Sequence, residues 1–192
     1  MDLASGAPSR KATISRASEA RLTQPKHPGR EQRVRCAVVV ATSTRGPGTD
    51  ASGRLAVELL VDAGLESGQP SFADDDVEAL RAAVQSLVEG GARVIIVTGG
   101  TGITRRDVTP EAIEPLYDKH LPGFGEAFRA ASMRAIGVDG LLSRSSAGVI
   151  GEALLFLIPG SPGAVRDAMP LIVGAARHAI ALLDAPERVG RP

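Results

Sequence analysis

The chain has 192 residues, 43% of them hydrophobic, which is enough for one domain with a substantial core. Its 22 basic and 22 acidic residues cancel, aromatics are 3% and Trp is absent, so neither the basic footprint nor the stacking surface of a nucleic-acid binder is present. No apolar run approaches the ~20 residues of a membrane span. The single cysteine, Cys36, excludes an intrachain disulfide or a cysteine-built zinc site.

Residues 1–33 read as a disordered tail, rich in Ser, Ala, Pro and Arg and without apolar periodicity. The tail is moderately basic, through Arg10, Lys11, Arg16, Arg21, Lys26, Arg30 and Arg33. It has no apolar stretch of the secretory type, and a cytoplasmic location is expected, although an organelle transit peptide would share the composition. A domain over 34–184 follows, with a short C-terminal tail over 185–192.

Val34 to Ala41 predicts a buried first strand, with Cys36 inside its apolar run. A long polar loop from Thr42 to Gly53 comes next, then a helix marked by Leu55, Leu59, Leu60 and Ala63 and capped by Gly64. Leu65 to Ala73 is a weak second strand, diluted by Gly68 and Pro70 and suited to a sheet edge. Asp74, Asp75 and Asp76 open a helix carrying Val77, Leu80, Val84, Leu87 and Val88 at helical spacing. Capping and the helix dipole account for at least one of these aspartates.

The most informative stretch is Val94-Ile-Ile-Val97 followed by Thr98-Gly-Gly-Thr-Gly102. Four β-branched residues in a row predict a strand covered on both faces. The glycines allow backbone N–H groups to approach an anion. Beyond Asp107, a helix is predicted over about Thr109 to His120, a break over Leu121 to Glu126, and another helix to Ile136. Gly137 to Gly140 reads as a turn. Leu141 to Ser146 and Ala147 to Ile150 read as short extended pieces. Gly151-Glu152 turns into the apolar strand Ala153 to Ile158, which suggests a hairpin. The last helix spans about Ala164 to Leu183, kinked or restarted at Pro170. Alternating strands and helices with one hairpin predict an α/β three-layer sandwich on a mostly parallel mixed sheet.

In such a sheet the carboxyl ends of the parallel strands share one edge, where ligands bind. Four loops then converge there: Ser43 to Gly53, Asp74 to Asp76, Thr98 to Asp107 and Pro159 to Gly163. The glycine turn lacks the Gly-Lys-Ser/Thr ending of a Walker A loop, and its glycine spacing is not that of a dinucleotide-binding fingerprint. What remains is an anion-cradling turn with aspartates nearby. Asp107 with Asp74 or Asp75 can hold Mg²⁺ together with substrate phosphates, and Arg105, Arg106 or Arg144 can supply a cation. His27, His120 and His178 have no ligand spacing.

These segments also occur together in a known family. Thr98-Gly-Gly-Thr-Gly102, Arg106-Asp-Val-Thr-Pro-Glu-Ala112, Pro122-Gly-Phe-Gly-Glu126, Leu142-Ser-Arg144 and Pro159-Gly-Ser-Pro162 resemble, in order and spacing, the MoaB/MogA family of molybdenum-cofactor biosynthesis proteins, over roughly Arg33 to Leu183. The resemblance implies a molybdopterin-binding α/β fold that forms homotrimers or homohexamers. It also implies adenylylation of molybdopterin by Mg-ATP, with release of pyrophosphate. Some MoaB-type members lack this activity, and a non-catalytic molybdopterin-binding oligomer is the competing expectation. By the same resemblance Asp107 and Asp74 (alternatively Asp75) are catalytic and hold Mg²⁺. The implied substrate-binding set is Ser43, Thr98, Gly99, Gly100, Thr101, Gly102, Ser143, Arg144, Gly160, Ser161 and Pro162. The first loop departs from the common pattern: Thr44 follows Ser43 where many members carry an aspartate, whereas Asp50, Ser52 and Gly53 are kept.

Overall fold

Three apolar runs make the centre of the sheet. In the computed structural model, β1 (Arg35–Ala41), β4 (Val94–Thr98) and β7 (Ala153–Ile158) lie side by side and parallel. Successive residues of a strand face opposite ways. Val94 and Ile96 therefore join the core on one face of the sheet, and Ile95 and Val97 join the core on the other. The first core is closed by helices α1 (Ser52–Asp62), α4 (Pro122–Ile136) and α5 (Pro162–Leu183), through Leu60, Phe128 and Met169 among others. The second is closed by α2 (Val77–Glu89) and α3 (Thr109–Ile113), through Leu80, Val84 and Ile113. The result is the expected three-layer α/β sandwich. The structure describes residues 34–44 and 46–185, so the predicted N-terminal tail and all of the C-terminal tail beyond residue 185 lie outside the described residues. Among the described residues no helix is long and apolar enough to cross a membrane.

The sheet has seven strands: β2 (Glu66–Ser67), β3 (Ser71–Ala73), β5 (Lys119–His120) and β6 (Ser146–Ile150) join the central three in the order β2-β1-β4-β7-β6-β5, with β3 also pairing β1. The weak second strand is split into β2 (Glu66–Ser67) and β3 (Ser71–Ala73), both parallel to β1 on its outer edge. Pro70 between them has no N–H for the ladder, which accounts for the interruption. The predicted hairpin is β6 (Ser146–Ile150) and β7, antiparallel, turned at Gly151 with φ of 55°.

Four expectations change. The helix expected over Thr109 to His120 ends at Ile113, passes through a 3-10 turn over Glu114–Leu116 and becomes β5 (Lys119–His120), which pairs antiparallel with β6. Pro115 lacks the N–H that would continue the helix. Tyr117 holds the crossing by lying so close over Gly148 that a Cβ there would strike its ring. The expected break at Pro122 is instead the first residue of α4, a position where the missing N–H costs nothing. Gly137–Leu142 forms a 3-10 helix in place of a turn followed by an extended piece. Lastly, Pro170 sits inside one continuous α5. Its ring is on the exposed side, while Met169 and Ile172 are buried beside it and hold the two halves in line.

Because β1, β3, β4 and β7 are parallel, their carboxyl ends do share one edge. Strand order places the Asp74–Asp76 loop first, then the loop after β1, then the glycine turn, then Pro159–Gly163. After β1 the chain goes to one side (β2, β3) and then returns to the other (β4). That reversal is the switch point at which α/β sheets bind ligands.

Candidate functional site

Thr98 closes β4 as a fully buried residue, and its hydroxyl donates to the Pro159 carbonyl at 3.1 Å. With Gly99 N–H bonded to Ile158 O at 2.9 Å, this ties the glycine turn to the end of β7. Gly99 and Gly100 have φ of 110° and 62°, where side-chain-bearing residues are strained. A Cβ on Gly99 would lie 2.5 Å from the Ala41 carbonyl oxygen, and one on Gly100 would strike the Thr109 hydroxyl. Thr109 also donates its hydroxyl to Gly99 O at 2.8 Å and its N–H to Gly100 O at 3.0 Å. Thr109 of the Val-Thr-Pro-Glu segment therefore packs directly against the turn.

Asp107 stands in front of that turn. One carboxylate oxygen, Oδ2, accepts the Thr104 N–H at 2.8 Å and the Thr104 hydroxyl at 2.6 Å. A Cβ on Gly102 would lie 2.9 Å from the same oxygen. Partial burial pushes the carboxyl up, but Thr104, the Gly102 N–H and the Arg144 charge together outweigh it. Asp107 is thus held below the usual carboxylate range and is ionised at neutral pH. Glu111 is also lowered, chiefly by its hydrogen bond from Arg144.

Arg144, one of the three candidate cations, is tied to the segment beside the glycine turn. Its Nε donates to Gly102 O at 2.7 Å, its Nη2 to Asp107 O at 2.6 Å, and its Nη1 pairs with Glu111. Its backbone N–H donates to Thr101 O at 2.9 Å. Arg105 and Arg106 are exposed and form no ion pair among the described residues.

The three consecutive aspartates have three separate roles. Asp76 caps α2, accepting from the N–H groups of Glu78 and Ala79, both at 3.0 Å. Asp75 is latched to Ser43, accepting its N–H at 3.0 Å while Ser43 Oγ lies 3.3 Å away. Asp74 is exposed, and its carboxylate has no hydrogen bond or ion pair among the described residues. The loop after β1 is equally committed. Asp50 is fully buried and accepts from Gly53 N–H at 3.0 Å and Arg54 N–H at 3.2 Å, while Ser52 donates to Gly160 O at 2.9 Å.

On the far side of the glycine turn lies a cavity of about 390 Å³ at the N-terminus of α5. Thr101, Gly102, Ser143 and Ser161 line it. Thr101 is 2% exposed, and its hydroxyl has no hydrogen-bond partner. A buried hydroxyl facing a cavity without a partner costs free energy, and a ligand oxygen would offset that cost. Ser161 caps α5 through Ala164 N–H at 3.2 Å, so the positive end of a 22-residue helix faces the same space.

The cavity thus gathers part of the expected binding set. Ser43, Thr98 and Arg144 hold structure, Gly99 and Gly100 shape the turn, Gly160 accepts from Ser52, and Pro162 begins α5. The remaining wall was not anticipated. It comes from the end of α4 and the 3-10 helix, with Ser132, Ile136 and Asp139, and from Arg166 on α5. The short 3-10 stretch from Gly137 to Leu142 shows no helix or strand period, so its sequence does not mark it as a wall. No group of three or more His, Cys, Asp or Glu suited to a metal exists among the described residues. Asp74 directly follows β3, and Asp107 closes the loop after β4 on the other side of β1. They suit an ion that arrives with most of its ligands already on a phosphate chain.

An α/β sandwich with a glycine turn at its switch point and a carboxylate and a helix-capped cavity beside it has the form suited to a phosphate-bearing ligand. The comparisons narrow this class. The model of the probable molybdopterin binding domain family matches residues 36–178, and the chain belongs to that family. It is 45% identical over 143 residues to molybdenum cofactor biosynthesis protein B of Staphylococcus carnosus, covering 73% of this chain and 84% of that one. A crystal structure of a molybdenum cofactor biosynthesis protein B superimposes with TM-score 0.76 at 42% identity, covering 81% of this chain and 98% of that one. A solved structure of MogA does so with TM-score 0.73 at 33% identity, covering 78% and 99%. A role in molybdenum cofactor biosynthesis follows from these relationships.

Proposed function

We propose that the protein is a molybdopterin adenylyltransferase, using Mg-ATP. The observation that carries this reading is the placement of two different binding features on either side of one glycine turn. Behind it is the cavity with the buried, unpartnered Thr101 hydroxyl and the α5 N-terminus, suited to the phosphate of the pterin substrate. In front of it, at the switch point, are the ionised Asp107 and the unengaged Asp74, suited to Mg²⁺ on a nucleotide. An oxygen of the pterin's terminal phosphate attacks the α-phosphorus of ATP. The new P–O bond forms as the bond to the β-phosphate bridge breaks, and Mg-pyrophosphate leaves with the electron pair. The chain supplies position and charge: the turn brings the Gly100 and Thr101 N–H groups close, while Thr101, Gly102, Ser143 and Ser161 hold the acceptor. Use of cellular ATP agrees with a cytoplasmic location, and a homotrimer or homohexamer is the expected assembly.

A non-catalytic molybdopterin-binding oligomer is the second reading. It is favoured by the engagement of Ser43 and Asp75 with each other and by Thr44 in the first loop. The two are separated by incubating purified protein with molybdopterin and Mg-ATP and reading pyrophosphate and adenylylated pterin. Transfer by the wild type, lost in Asp107→Asn with pterin binding retained, is the expected result. Pterin binding without pyrophosphate from the wild type supports the second reading.

A further inference from the structure

We propose that Arg144 is a positioning residue, which clamps the glycine turn and Asp107 in one geometry. The three nitrogens of one guanidinium reach three points of one continuous stretch: Gly102 O, Asp107 O and the Glu111 carboxylate at the start of α3. The first two lie at the ends of the exposed segment Ile103 to Arg106, which has no other anchor to the rest of the domain among the hydrogen bonds of its side chains. Asp107 holds that segment from within through Thr104, and Arg144 fixes the whole unit to the stretch leading into β6. The backbone bond from Arg144 N–H to Thr101 O adds a fourth point. Three of the guanidinium's five N–H groups are engaged in this way, and its rigid fork holds the three acceptors in one arrangement. The Glu111 contact also explains why a glutamate follows the Asp-Val-Thr-Pro run: it completes the fork and neutralises the arginine. Lysine has one compact head and cannot span the three acceptors.

The catalytic consequence rests on the adenylyl-transfer reading; the clamp itself does not. A small displacement of Asp107 costs about 100-fold in rate when chemistry depends on positioning. Arg144→Lys and Arg144→Gln are therefore both expected to lower kcat by about that factor, with the KM values for Mg-ATP and molybdopterin within about threefold of wild type. Glu111→Gln, which removes one of the contacts and is the milder variant, is expected to fall between them and wild type. Limited trypsin digestion reads the clamp without any activity. Cleavage at the Arg105–Arg106 bond is expected to be at least about tenfold faster in both Arg144 variants while the thermal midpoint of the domain stays above the digestion temperature. Full kcat in Arg144→Lys, or a rise in KM alone in Arg144→Gln, would overturn the proposal in favour of a phosphate-binding cation. If the wild type transfers no AMP, the functional reading fails, and unchanged digestion at Arg105–Arg106 would still sink the clamp.

Discussion

Asp74, Asp75 and Asp76 have the same side chain, and their surroundings alone give them separate roles. Asp76→Ala removes a helix cap and is expected to cost about 1 kcal/mol in urea unfolding, with little change in activity. Asp74→Asn touches no protein partner, so stability should stay within about 0.5 kcal/mol of wild type. The same variant is expected to lose adenylyl transfer by roughly 100-fold or more if its carboxylate serves the nucleotide's Mg²⁺. Wild-type transfer in Asp74→Asn would move that role to Asp75 or abolish it. Asp107 allows a prediction about pH. Its folded value lies below that of a free carboxylate, as does that of Glu111. The stability they contribute is complete above the ordinary carboxylate range and is lost as pH falls through the lower folded values. The acid limb of any Asp107-dependent activity therefore lies below that range. Thr104→Val removes the 2.6 Å hydroxyl hydrogen bond and should move the limb upward in a pH–rate profile. An unmoved limb would assign it to another group.

At the scale of elements, glycine has opposite consequences at two places. Gly100 has a left-handed φ of 62° and packs against Thr109. Gly100→Ala is expected to destabilise by about 1–3 kcal/mol and to distort the turn. Gly174 lies on the exposed side of α5 with open space where a Cβ would go. There, Gly174→Ala should stabilise by about 0.5–1 kcal/mol, because only the helix-propensity gain remains. Paired thermal melts test both signs. The same distinction explains which elements were legible beforehand. Val94 to Val97 and Ala153 to Ile158 announce themselves, because a strand buried on both faces has no choice but to be apolar throughout. The segment from Thr109 to His120 reads as one helix, because its apolar spacing allows it. What ends the helix is Pro115 and the seating of Tyr117 on Gly148, a contact between residues far apart in sequence. The pocket wall over Gly137–Leu142 was hidden for a related reason: 3-10 turns carry no period long enough to read. Motif residues gathered at the predicted edge, yet motif membership did not say which would face a ligand. Ser43 and Arg144 became ties between loops, and that depends on atoms a sequence does not place.

The whole molecule is held by two cores that share one sheet, and this sets how the site fails. Ile95 and Ile96 are neighbours in β4, both fully buried, one in each core. In a sheet with one solvated face only one of the two would matter. Here each loss leaves a cavity against helices, so Ile95→Ala and Ile96→Ala are each expected to cost about 2–5 kcal/mol in urea unfolding. The same strand ends in Thr98 and carries the glycine turn, so strain from either cavity can reach the site by the shortest route in the fold. The cores nevertheless differ in what they support. Ile96 packs in the core that contains α5, whose N-terminus faces the cavity, whereas Ile95 packs in the core that contains α3, which begins at Thr109 behind the turn. Pterin affinity should therefore suffer more from Ile96→Ala, and the rate of transfer more from Ile95→Ala, when both are measured below their unfolding midpoints. Equal stability losses with that split would show the two layers serving two halves of one site. A stability loss confined to one variant would mean that one face of the sheet is not packed as described.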